Sequence, residues 1–389
     1  MKASAARTYA RESCPSRGRG SNLPERLYSA SPHCRAVKVA TVLGTRSEII
    51  RAAPVCREVG QHNEVVLIHT GEERDPRMGE AVFRAFDLGR PDHELGLTTA
   101  EPTKRLASMI DELGGILRRE SPNLVLVFGD SLTALAATLS AETERIPVGH
   151  VEAGLRSFDR SSPEETHRHL IDRVSRALFC PTSAAAENLH REGIVQGVSV
   201  VGDVLYDVAL QYAQAARERD IVARLGVRPG EYVVATVHHG AALDDPEALA
   251  SIVGALVECG RPVVFPVHPR TRERLEGAGL WEPVKGRVMT TAPLDYLDFL
   301  GLLMRAAKVV TDSRGVQREA YYFGVPCVTV ADSTEWIETV EDGWNAPVGT
   351  DKEDVLHAIL HFNPSGTKTK SFGDGHAAER IARIIDGMT

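Results

Sequence analysis

The sequence predicts an α/β protein built from two doubly wound, Rossmann-like domains facing a cleft. Three observations predict it. Short apolar runs bounded by turn residues alternate with helical stretches twice over, once from Val37 to Leu210 and again from Glu231 to Asp332. The runs are apolar throughout rather than alternating, which is the mark of parallel strands buried on both faces. At 389 residues the chain is long enough for two ordinary domains, each burying its own core.

Bulk properties narrow the function classes. With 43% hydrophobic and 25% charged residues the composition is that of a globular protein, and the formal net charge of −8 argues against a general nucleic-acid binder. The six cysteines form no CxxC pair and no metal-ligand spacing, so the expectation is a reducing cytoplasm and no structural metal; no cofactor is expected for the reaction to which the motifs below point. No stretch approaches the roughly eighteen unbroken apolar residues of a membrane span. Residues 1–36 carry six arginines among Ser, Ala and Pro without the apolar core of a secretory signal, and read as a disordered tail, a composition also found in organelle targeting peptides.

From Val37 the pattern is regular. VKVATVLG is a buried strand, GTRSE a turn and IIRAAPVCREVG an amphipathic helix. A glycine turn in that place presents backbone N–H groups to an anion, and Arg46 adds a fork of donors. EVVLIHTG is the next strand, followed by a polar loop, the segment Phe86 to Leu97 and a helix over 104–120. NLVLVFGD then ends at Asp130, before a helix opening at Ser131; an aspartate there reads equally as a helix cap or a site acid.

The stretch HVEAGLRSFDRSSPEETHR, His150 to Arg168, concentrates acids, histidines and arginines at the end of the strand IPVGH. Ligands of open α/β sheets bind at that edge. Glu152, beside His150 and Arg156 in sequence, is either half of a structural ion pair or a site acid, with the second reading ahead. Ser162-Pro163-Glu164-Glu165 has the capping residue, the first-turn proline and the acids of a helix start, and the bland reading of the two glutamates is that they serve the helix dipole. Glu165, Arg168 and Asp172 follow at helical spacing. RALFCPT and VSVVGDVLYDVAL close the first series, and QYAQAARERD is a charged helical linker.

In the second series EYVVATVHH, RPVVFPVHPR, KVVTDSRG and PCVTVAD are strands. His268 follows a buried strand, and the turn Ser313-Arg314-Gly315 offers backbone donors to a diphosphate, with Glu319 one helical turn on to accept from ribose hydroxyls. The expected organisation is a tail over 1–36, a first domain over 37–207 carrying acid/base residues, a nucleotide-binding domain over 208–365, and a C-terminal helix over 366–389 packing back on the first domain.

HVEAGLR, then FDR, PEE and an arginine three residues after the second glutamate, resembles the non-hydrolysing UDP-N-acetylglucosamine 2-epimerase family, and the resemblance runs from Val37 to about Thr350. It implies a glycosyltransferase-B-like fold, a UDP-sugar substrate and a homodimer. It also implies that Asp130, Glu152 and Glu164 form the acid/base cluster with His238, and that Arg46 and Arg51 contact nucleotide phosphates. Arg168, His268, Ser313, Arg314, Gly315 and Glu319 complete the expected substrate site. The chain departs from the family pattern at five places. Ser47 replaces a proline in GTRPE, and Gly71-Glu72-Glu73 stands where a Gly-Gln-His triad helps several members hold a regulatory UDP-sugar. Arg314 replaces a glycine of TDSGG. The neighbours of His238 differ, and no arginine precedes Asp332-Ser333-Thr334-Glu335.

The reaction so implied is inversion at carbon 2 of UDP-N-acetylglucosamine to UDP-N-acetylmannosamine, by loss of UDP to a 2-acetamidoglucal and re-addition. Three converging carboxylates should have their proton affinities pushed apart, and acid/base work of this kind contributes roughly 10²–10⁴-fold. Arg46, Arg168, His238 and the Ser313 turn would carry charge on the departing diphosphate. The alternatives are the same chemistry on a 2,3-diacetamido uronic acid, hydrolytic release of the free epimer with UDP, a glycosyltransferase of the same build, and an inactive nucleotide-sugar binder.

Overall fold

The protein is described from a computed structural model over residues 36–72, 76–97, 99, 101–238 and 240–388; most of the expected tail, with Glu73 and His239, lies outside these. The described residues fall in one compact unit. Within it are two parallel sheets, as the apolar runs require. The first holds β1 (Lys38–Leu43), β2 (Glu64–His69), β3 (His93–Glu94), β4 (Leu124–Phe128), β5 (Val148–Val151), β6 (Ala177–Cys180) and β7 (Val198–Val200), in the order β3-β2-β1-β4-β5-β6-β7. The second holds β8 (Val233–Thr236), β9 (Val263–Pro266), β10 (Met289–Thr291), β11 (Lys308–Thr311), β12 (Cys327–Thr329) and β13 (Asn345–Pro347), in the order β10-β9-β8-β11-β12-β13. Both sheets reverse direction next to their first strand, between β1 and β4 and between β8 and β11. Such switch points open a crevice at the strands' carboxyl ends.

Helices cover both faces of each sheet, which is why β4 and β8 are buried along their whole length. The helix Arg46–Val59 lies on one face of the first sheet, and Met109, Leu113 and Leu117 of the helix Pro102–Glu120 fill the other. The C-terminal helix Ala377–Asp386 places Ala378, Ile381 and Ile385 in the same cluster as Arg46–Val59. Tyr296 and Leu300, on a helix flanking the second sheet, join that cluster too, so the two sheets share part of a core. The segment expected as a linker is mostly the second half of the helix Val204–Glu218, with Ala213 and Ala216 buried. The edge strand β3, only two residues long, has no sequence signal of its own.

Candidate active site

The carboxyl ends of the two sheets meet, and acids of the first are met there by arginines of the second. Asp130 follows β4 through Gly129, whose φ of +68° turns the chain out of the strand. Ser131, not Asp130, caps the next helix, its hydroxyl accepting from the Ala134 N–H at 3.0 Å. The Asp130 carboxylate is thereby free for other partners: Arg168 donates to Oδ2 from Nε at 2.8 Å, and Arg314 from Nη1 at 2.7 Å. Burial alone would raise this carboxyl, but Arg314 and then Arg168 outweigh it and hold it well below the usual carboxylate range.

Glu152 follows β5 with φ +72°, a left-handed conformation that an L-residue adopts only under constraint. Its backbone N–H donates to the Phe179 carbonyl at 3.1 Å, and its side chain is held by two arginines. Oε2 is bound by Arg51 from the helix Arg46–Val59, and Oε1 accepts from Arg318 Nη1 at 2.6 Å. Arg318 also donates to both oxygens of Asp203, at 2.8 and 3.0 Å, and its guanidinium lies 4.0 Å from the Trp336 ring centre. Burial first, and then the like charge of Arg318, push the Arg51 guanidinium down to about 10.

His150 and Arg156 do not partner Glu152. The buried His150 ring spans the Asp172 carboxylate at 2.7 Å and the Gly129 carbonyl at 2.8 Å, and Arg156 pairs with Asp172 at 2.8 Å and with Glu192 at 2.7 Å. They are a structural network behind the strand end. This corrects the grouping expected from their closeness in sequence.

Glu164 is half-buried, opening the helix Pro163–Val174, and accepts from the Ser162 hydroxyl at 2.5 Å; that hydroxyl makes no backbone cap, contrary to expectation. Burial is outweighed by this hydrogen bond and by Arg314, so the carboxyl is lowered. Glu165 is a clamp instead, accepting from the Ser157 and Phe158 N–H groups at 3.0 Å and from Arg168 at 2.7 Å.

The phosphate-binding expectations are redistributed. The Gly44 and Thr45 N–H groups, read as an anion cradle, already donate to the Glu48 carboxylate at 2.7 and 2.9 Å, because Thr45 and Glu48 form a capping box. Arg51 and Arg168, expected on phosphates, are buried against acids. Arg46 donates to the Leu294 carbonyl at 3.3 Å, bridging the two sheets. Glu72, at the departed Gly-Gln-His position, accepts from the Thr133 N–H and hydroxyl at 3.1 and 2.6 Å, at the start of the helix Leu132–Thr143.

On the second sheet, the His238 ring lies 6.1 Å from that of His268, and the His238 N–H donates to Asp312 at 2.8 Å. His268 caps the helix Pro269–Gly277. The Ser313 N–H donates to the Thr311 hydroxyl at 2.9 Å, whereas its own hydroxyl makes no cap bond on the helix Arg314–Phe323. Gly315 sits in the first turn of that helix, where an added Cβ would find only Leu205 at 3.9 Å. Glu319 is buried, which raises its carboxyl to about 7.

Sequence reasoning missed Arg318, Asp203 and the anchoring role of Glu335. Glu335 accepts from Arg314 Nε at 3.0 Å and faces Arg168 at 3.5 Å. The available signal was Arg318 itself, four residues after Arg314 and so on the same helix face.

Comparison with known proteins follows this geometry. The profile of the family described as UDP-N-acetylglucosamine 2-epimerase matches residues 57–386. A UDP-N-acetylglucosamine 2-epimerase homolog of Methanococcus maripaludis is 40% identical, over 90% of this chain and 100% of its own. The UDP-2,3-diacetamido-2,3-dideoxy-D-glucuronate 2-epimerase of Pseudomonas aeruginosa is 37% identical, over 90% and 99%. The crystal structure of Methanocaldococcus jannaschii UDP-GlcNAc 2-epimerase, in complex with UDP-GlcNAc and UDP, superposes with a TM-score of 0.84 at 36% identity, covering 90% of this chain and 99% of that one.

Proposed function

The chain belongs to the UDP-N-acetylglucosamine 2-epimerase family, and from that premise we propose that it interconverts UDP-N-acetylglucosamine and UDP-N-acetylmannosamine. The observation that carries this reading is the meeting of Asp130 and Glu152, at the ends of neighbouring strands, with arginines of the opposite sheet. A site that inverts carbon 2 needs a base for an unactivated C–H proton and cations for a departing diphosphate. Both lie here where the two sheets meet.

In this reading UDP leaves carbon 1 as the carbon 2 proton is taken, giving a 2-acetamidoglucal, and UDP returns as a proton is delivered to the opposite face. Asp130, Glu152 and Glu164 share the two proton transfers. Arg46, Arg314, His238 and the Ser313 turn bind the diphosphate, His268 flanks it, and Glu319 takes the ribose. Arg51 and Arg168 orient the acids. Enclosure keeps the glycal from escaping. We place the working form in the cytoplasm as a homodimer that supplies polysaccharide synthesis; no helix among the described residues is long and apolar enough to cross a membrane.

A second reading is favoured by the 37% identity to the diacetamido-glucuronate epimerase: the same chemistry on a UDP-linked 2,3-diacetamido uronic acid. Proton NMR with each UDP-sugar in deuterium oxide tests both. The UDP-linked epimer with deuterium at carbon 2 is the expected product. Free sugar plus UDP would replace this reading with the hydrolytic one, and no exchange with either sugar would remove it.

A further inference from the structure

The Glu152 carboxylate has one partner on each side of the seam. Arg51 belongs to the first sheet's own helix and moves with Glu152, whereas Arg318 belongs to the helix Arg314–Phe323 of the second sheet. Arg318 is 3% exposed, its Nη1 alone donates to both oxygens of Asp203 as well as to Glu152, and its guanidinium stacks on Trp336, while its buried Nε makes no hydrogen bond. Asp203 is itself fixed, with no exposed surface, by the Leu205 N–H at 2.8 Å and the Tyr322 hydroxyl. Nη1 is thus shared between the Asp203 and Glu152 carboxylates while the guanidinium face rests on Trp336, and this holds at one point the donor that Glu152 accepts from.

We propose that Arg318 is the positioning residue for Glu152, fixing this carboxylate for reaction only when the second sheet is docked against the first. The proposal rests on the epimerase reading above, in which Glu152 takes part in proton transfer. Its physical basis is that Glu152 holds a left-handed backbone and has two rotatable bonds beyond Cβ, so Arg51 alone, moving with the same sheet, fixes one oxygen and leaves the other free to turn. Misplacing a reacting group by about 1 Å costs on the order of 10²-fold in rate. Arg318 supplies the second point, and it arrives from the element that closes the site. Docking of the sheets and alignment of the carboxylate are then one event, and a sugar held in an open site meets a misaligned acid.

The test compares wild type with Arg318→Lys, Arg318→Met and Asp203→Asn. It measures the rate of carbon 2 deuterium incorporation into UDP-N-acetylglucosamine, KM, the dissociation constant for UDP and the thermal midpoint. Asp203→Asn keeps the arginine and loosens its anchor, so it serves if Arg318→Met does not fold. Positioning predicts that kcat falls on the order of 10²-fold in Arg318→Met, while KM and UDP affinity stay within a few-fold. Arg318→Lys should recover part of the loss, and Asp203→Asn should lower kcat by a smaller factor. Variants that match wild type in kcat overturn the proposal and leave the epimerase reading standing. So do variants whose kcat, UDP affinity and midpoint fall together, the pattern of a structural ion pair. A wild-type protein that exchanges no proton overturns the reading of function and this proposal with it.

Discussion

Arg314 reaches across from the second sheet to place Nη1 2.7 Å from Oδ2 of Asp130, on the end of β4 in the first. The resemblance to the TDSGG pattern leads to a glycine at this position, so it did not lead to this ion pair. The pair makes Asp130 a doubly paired acid, with Arg168 as its second cation. Arg314→Gly removes the largest single charge effect that lowers Asp130 and should raise its proton affinity. Wild-type exchange activity is expected to hold as pH falls until the fold fails, whereas activity of Arg314→Gly begins to drop at a higher pH. A pH–rate series checks this, and coincident profiles would detach Arg314 from the chemistry.

Much of this site was legible and some was not, for one physical reason. Local pattern favoured Glu152 as a site acid, because a carboxylate at a strand end is a statement about neighbours in sequence; it left Asp130 evenly between cap and site acid and read Glu164 as a helix-start acid, so only the family resemblance grouped the three. The partners of those acids were not readable, since Arg318 and Glu152 stand 166 positions apart and meet only through the way two sheets face each other. The Gly44 turn failed differently. Thr45 and Glu48 fit the capping-box spacing, a signal present in the sequence, and the carboxylate fills the cradle that the turn alone would have offered an anion.

Glu48 makes stability depend on pH. Burial first, and then the charge of Glu72, raise its carboxyl from 4.5 to about 7. A carboxyl raised on folding contributes stability that is complete below the unfolded value near 4.5 and is lost as pH climbs through about 7. Glu319 acts in the same direction over the same range. Glu48→Gln keeps an acceptor for Gly44 and Thr45 but cannot ionise, so its thermal midpoint relative to wild type should rise between pH 5 and pH 8. A difference that stays constant across that range would mean Glu48 does not titrate there.

Gly154, in the turn after Glu152, has φ +81°, and a Cβ there would lie 2.2 Å from the Ala185 backbone carbonyl. Neither the strain nor the clash can be relieved by a side-chain rotation. Gly154→Ala is expected to cost about 3 kcal/mol or more, read from the denaturant midpoint at unchanged slope. A loss under 1 kcal/mol would mean that the helix Ser183–Arg191 moves away more easily than its packing implies.

The same turn separates architecture from chemistry. Asp172 collects His150 at 2.7 Å, Arg156 at 2.8 Å and the Gly154 N–H at 3.2 Å, all without solvent contact for the three side chains. Removing one member of a buried charged network leaves the others desolvated and unmatched, at a cost of about 3–5 kcal/mol. Arg156 keeps Glu192, which places Asp172→Asn toward the lower end. None of these groups touches Asp130 or Glu152 side-chain oxygens, so the expected result is a lower thermal midpoint with kcat unchanged for the folded protein. Activity measured well below the new midpoint decides it: a fall in kcat there would show that the network behind the strand sets the geometry of Glu152 as well as the stability of the turn that carries it.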